Sequence, residues 1–172
     1  MYSWSMTRHN LNTDLKNLIV RTITGGIFVG AIVASAILSP LAFSILFFMI
    51  TLAGIYEFIR LTGGNDQRSL MVQALAAGGM IYADVALVAM SYLPLEALWG
   101  IVPLALTPPL AMILYYKGLV IRRMAVFSGS LLFVVFPMSL LNLLLDPWLI
   151  PEYHNPWFLL GMFAILWTHD TF

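Results

Sequence analysis

Residues 18–38 read LIVRTITGGIFVGAIVASAIL, Ser39-Pro40 follows, and residues 41–61 read LAFSILFFMITLAGIYEFIRL. Each run holds about the 20 mostly apolar residues that cross roughly 30 Å of hydrocarbon at about 1.5 Å per residue. Proline cannot continue a helix from its interior, so Pro40 ends the first run and starts the second. The stretch therefore predicts two membrane spans joined as a tight helical hairpin.

The pattern repeats along the chain. Residues 62–69 carry Gly63-Gly64-Asn65-Asp66, a loop signature. A third span is expected at 70–93, with a turn at Pro94-Leu95-Glu96. A fourth is expected at 97–116, with kinks from Pro103 and Pro108-Pro109. Residues 117–123 are basic, a fifth span covers 124–145, and a loop with three prolines leads to a sixth apolar run at 157–172. Residues 1–17 form a polar segment. The expected fold is an all-α, polytopic transmembrane helical bundle: five full spans plus an incomplete sixth, all within 18–172.

Composition agrees. Hydrophobic residues make up 61% of the chain and charged residues 9%, where soluble domains run near a quarter charged. A β-barrel would alternate apolar and polar residues along short strands, and this chain does not. Net charge is zero, which gives no pointer to nucleic acid. There is no cysteine, so disulfides and thiolate ligands are excluded. No Ala-x-Ala cleavage site precedes the first run, which reads as a retained span.

The basic residues set an orientation. Arg8, Lys16, Arg21, Arg60, Arg68, Lys117, Arg122 and Arg123 are every Lys and Arg in the chain, and all fall in segments on one side of the expected spans. The connections around Ser39, Pro94–Glu96 and residues 146–156 hold none. By the positive-inside bias, the N-terminus is cytoplasmic. Tyr92, Trp99, Trp148, Tyr153 and Trp157 fall near the opposite boundary, as an aromatic belt would.

Several residues are candidates for a role. Asp170 lies about 20 Å into the sixth run, at roughly 1.5 Å per residue from Trp157. An ionisable group at that depth faces a bundle interior or a cavity, or else is interfacial on a tilted helix. Asp84 lies in the middle of the third span, a costly place for a carboxylate. It is an ion or proton site, or it is shallower than it looks. Thr22, Gly26, Gly30 and Ala34 recur every four residues as a small-residue stripe, which serves either a dimer seam or ordinary packing within the chain. Glu57 and Arg60 have the i,i+3 spacing of a helix-surface ion pair. His154 beside Glu152 reads as solvated, and His169 next to Asp170 is assigned no role. No complete catalytic motif and no metal-ligand set is present in the sequence.

Three stretches together carry a family resemblance: Leu18-Ile-Val-Arg21-Thr-Ile-Thr, Tyr56-Glu57-Phe-Ile-Arg60-Leu61, and Trp167-Thr-His-Asp170-Thr-Phe172. The layout resembles the N-terminal part of the phosphatidate cytidylyltransferases, or CDP-diacylglycerol synthases. The resemblance implies transfer of a cytidylyl group from CTP to phosphatidate, giving CDP-diacylglycerol and pyrophosphate in phospholipid biosynthesis. It also implies Mg²⁺, which would bridge the triphosphate, and a multi-pass protein of the cell inner (plasma) membrane. Asp170 would begin a longer substrate-cavity motif. The catalytic and metal-binding residues are expected beyond Phe172, so the 172 residues alone are expected to be inactive. The alternative is a transporter or membrane scaffold subunit, with Asp84 and Asp170 as intramembrane ion or proton sites.

Overall fold

The structure, a computed structural model, describes the backbone of residues 4–62, 67–115, 120–145 and 156–171, and side chains at 19–62, 68–115, 120–145 and 156–169. Every element among these residues is helical. The chain is an all-α bundle with five helical segments long and apolar enough to cross a membrane, at Ile19–Leu38, Pro40–Thr62, Arg68–Ala89, Leu95–Tyr115 and Val120–Leu143. A shorter apolar helix covers Pro156–His169. Large apolar side chains line its outside, Leu38, Leu114, Ile121 and Phe133 among them. Such a surface is suited to lipid and not to water.

Helix α1 runs Trp4–Leu38 and α2 runs Pro40–Thr62. The polar N-terminal segment is thus helical from Trp4 and continuous with the first span. One residue, Ser39, makes the corner. Its hydroxyl oxygen accepts the backbone N–H of Ala42 at 3.1 Å. This is an N-cap with proline at the first helical position, where the missing N–H has no intrahelical partner to lose. The Ser39-Pro40 pair therefore ends one span and caps the next.

Helix α3 (Gln67–Ala89) is the centre of the bundle, packed against α2 and against the helices that form the fourth and fifth spans. Half of its spanning window is buried in the protein, against 11% for the fourth span. It ends four residues before the boundary expected from sequence. Ser91 adopts a left-handed conformation (φ 60°). The N–H of Tyr92 then bonds the carbonyl of Leu87 at 2.9 Å, and that of Ser91 bonds Val88 at 2.9 Å. This pair of bonds is a Schellman cap, and Pro94 follows it, as is common past a helix end.

The fourth span is a short 3₁₀ turn, Leu95–Gly100, leading into α4 (Ile101–Tyr115), with Pro108 and Pro109 in its interior. The fifth is α5 (Val120–Ser130), a single π-helical turn (Leu131–Val135) and α6 (Phe136–Leu143). The wide turn has a local cause. Pro137 has no N–H to give the carbonyl of Phe133, and its ring would collide with that carbonyl in a regular α-helix. The N–H of Phe136 reaches Leu131 instead, five residues back. Helix α7 (Pro156–Thr171) docks by burying Leu159 and setting the Phe163 ring 6.1 Å from that of Phe47.

Close approach between helices occurs at Gly54 and Gly78. A Cβ at Gly78 would lie 2.6 Å from Ile55 Cδ1 and 2.9 Å from Val135 Cγ2, and one at Gly54 would lie 2.8 Å from Val134 Cγ1. Gly26 and Gly30, the candidates for helix packing, have nothing within 4 Å of that position, and Thr22 and Ala34 are also exposed. The stripe faces away from the rest of the described residues.

Two outcomes are expected. Gly78→Leu lowers stability by about 1–3 kcal/mol through overpacking, whereas Gly30→Ala leaves it unchanged or slightly raised. Ser91→Gly relieves a left-handed serine and raises stability by up to about 1 kcal/mol. Thermal unfolding in detergent micelles checks both.

Candidate functional site

The two ends of the bundle differ in chemistry. Arg60 near the end of α2, Arg68 at the start of α3, and Arg122 and Arg123 at the start of α5 share one end. A direct bond ties it together: the Arg122 guanidinium donates to the Thr62 carbonyl at 3.2 Å. It thereby satisfies a carbonyl that the last turn of α2 leaves without an intrahelical donor. Arg21 and Glu57 are equidistant along the chain from the Ser39 corner, so in an antiparallel hairpin they stand at the same height. Glu57 and Arg60 form the ion pair that their spacing suggested, at 3.8 Å with both side chains well exposed. An exposed pair of this kind contributes little stability.

Asp170 lies in the last turn of α7, next to the exposed His169, and its side chain falls outside the described residues. The side chains of Arg8 and Lys16, and residues Lys117, Trp148, Glu152, Tyr153 and His154 altogether, also fall outside them. Tyr92, Trp99 and Trp157 are exposed, as an interfacial belt requires.

Asp84 is not in the middle of its span. Because α3 stops at Ala89, Asp84 sits about one and a half turns from the helix end, half-buried against the 3₁₀ turn. A methyl group added at Gly100 would lie 3.9 Å from Asp84 Oδ2. That oxygen is buried and has no hydrogen-bond partner among the described residues. The span boundary misled the sequence reading, since nothing in the apolar run marks Ser91 as the left-handed residue that ends the helix.

The best-built polar cluster was not picked out from sequence. Ser44 of α2 donates its hydroxyl to Asn142 Oδ1 at 2.7 Å. Tyr82 of α3 donates to the Ser44 carbonyl at 3.0 Å and approaches Asn142 Oδ1 at 3.4 Å. The Asn142 amide in turn donates to the Ser139 carbonyl at 3.1 Å. All four residues are buried. The Phe48 ring packs on Tyr82 with centroids 5.6 Å apart. One signal was available: Asn142 is an amide near the end of an apolar run, where polar side chains usually find partners on other helices.

Among the described residues no group of three or more His, Asp or Glu gathers as a metal site. Glu57 is engaged with Arg60 and Asp84 stands apart under Gly100. These described residues do not fit the Mg²⁺ that the family resemblance implies. Comparison of the chain with known protein families, with characterised proteins and with solved structures finds no match in any of the three.

Cutting the cluster tests its role. Tyr82→Phe is expected to cost about 1 kcal/mol, the net worth of one buried hydrogen bond. Asn142→Ala is expected to cost about 1–3 kcal/mol, because Ser44 is left without its acceptor. The double variant should cost less than the sum, since both changes strip the same network. Denaturant titration in micelles reads all three, and full additivity would show that the groups act independently.

Proposed function

We propose that this chain is the membrane-embedded N-terminal part of a phosphatidate cytidylyltransferase, with the arginine end in the cytoplasm. The observation that carries the reading is the gathering of basic side chains at that end, around Glu57 and Arg60 of the stretch Tyr56-Glu57-Phe-Ile-Arg60-Leu61. Phosphatidate and CTP are both anionic at the membrane–cytosol boundary, and clustered guanidinium groups there raise their local concentration. Alternation of the spans brings the C-terminal end of α7, with Asp170, to the same side. On this reading the basic end receives the substrates. The residues that hold metal and nucleotide lie outside these 172 residues, and the membrane is the cell inner (plasma) membrane.

A second reading has one observation in its favour. The unpartnered Asp84 oxygen is what an ion- or proton-handling helix would carry. In a transporter it would be the working group, whereas in the transferase it has no role.

The experiment separates the two. The protein encoded by the complete reading frame is purified and supplied with CTP, Mg²⁺ and phosphatidate. CDP-diacylglycerol formation is expected, with none from the 172-residue chain alone. Asp84→Asn should leave that turnover within about twofold, a change worth less than 0.5 kcal/mol. Absence of turnover, together with ion flux in proteoliposomes that Asp84→Asn abolishes, would replace the transferase by the transporter.

A further inference from the structure

The arginine-free end of the bundle contains a cavity of ≈ 340 Å³. Ser39 and Leu41 of the α1–α2 corner, Ser91 and Tyr92 of the α3 cap, and Ser44 and Asn142 from deeper in the bundle line it. Its volume falls in the range of small-molecule sites, which are mostly apolar with a few convergent polar groups. Among the described residues the lining includes no Asp, Glu, Lys or Arg. A charged ligand would lose its hydration there without gaining a counter-charge.

Hydrogen-bonding capacity remains at the floor. Asn142 is 3% exposed and has two amide N–H groups. One donates to Ser139, and the other has no acceptor among the described residues. Ser44 uses its proton on Asn142, so its oxygen can still accept. At the rim, Ser39 Oγ accepts from Ala42, which leaves its own O–H to donate. The described lining thus offers donors and an acceptor in near balance and no charged group, the pattern that matches a group of neighbouring hydroxyls. Tyr92 is exposed at its edge, Trp99 is exposed beyond the α3 cap, and Leu41 at the mouth is half-exposed. That setting is a membrane boundary, where a lipid presents its head group with the chain running down the apolar flank.

We propose that this pocket binds an uncharged, polyhydroxyl head group of the glycerol type, presented by a neutral lipid. The site is independent of the cytidylyl-transfer reading, since it occupies the opposite end of the bundle.

Thermal unfolding of the chain in phosphatidylcholine nanodiscs tests it, with three probes: 1-monooleoylglycerol, methyl oleate with a similar chain but no hydroxyls, and free glycerol. Monooleoylglycerol should raise the midpoint saturably, by about 3–5 °C, while methyl oleate does not. A shift from free glycerol at the same concentration supports the polyol site and transfers it to a soluble ligand. Asn142→Leu should abolish the shift. Because that variant also cuts the buried network, Leu41→Trp, which plugs the mouth from an exposed position, is the second arm and should abolish it too. An equal shift from methyl oleate, or a full shift retained in Leu41→Trp, overturns the proposal. Neither result bears on CTP turnover.

Discussion

Within hydrocarbon no water is at hand to complete a hydrogen bond, and that constraint governs the polar side chains buried between these helices. The hydroxyl of Ser44, the phenol of Tyr82 and the amide of Asn142 are buried among apolar side chains, and they satisfy one another across α2, α3 and α6. Apolar contact alone would not fix these helices in register, because lipid tails offer nearly the same environment as a leucine on a neighbouring helix. Directional bonds do fix it. Moving any of the three helices by one residue, about 1.5 Å along and 100° around its axis, would break them.

The π-helical turn in the fifth span bears on the same network. A π turn holds one residue more than an α turn, so every side chain beyond it is rotated by about 100° relative to an uninterrupted helix. Without it, Ser139 and Asn142 would turn away from α3. Pro137, by forbidding the regular bond to Phe133, therefore aims Asn142 at Ser44 from more than a turn away. Gly78 works from the other side. Lacking a Cβ, it lets Ile55 and Val135 sit against the α3 backbone, close enough for short side chains to meet.

What could be read from the sequence follows from the range of the interaction behind it. Span number, the hairpin and the Ser39-Pro40 corner depend on neighbours within a few residues, and apolar runs and turn chemistry report them directly. The Glu57–Arg60 pair is equally local. Ser44 and Asn142, by contrast, are 98 residues apart, and Tyr82 and Asn142 are 60 apart, with no spacing rule to connect them. Pro137 marks a break in the fifth span, yet a proline in an apolar run does not say by how many residues the register beyond it shifts. Gly26 and Gly30 had the right spacing for helix packing, but spacing cannot say whether a second helix is present on that side. Asp84 was set too deep because Ser91, a residue with no special claim to a left-handed conformation, ends α3 early.

The two ends of the bundle divide charge between them in a way that packing does not require. An Arg122 side chain that caps α2 explains one arginine. It does not explain why Arg60 and Arg68 gather there too, or why the described residues of the opposite end carry serines, aromatics, an amide and the carboxylates Asp84 and Glu96 but no Lys or Arg. A membrane orients a chain by such an asymmetry, and orientation needs only a few basic residues in short loops. The same asymmetry also sorts ligands. On the proposed reading, phosphate-bearing molecules are drawn to the guanidinium groups, while the described lining of the far cavity holds no cation to pair with them. A neutral head group meets the reverse situation. On the two proposals, the same charge pattern that the positive-inside bias would read for insertion also decides which kind of ligand each end holds.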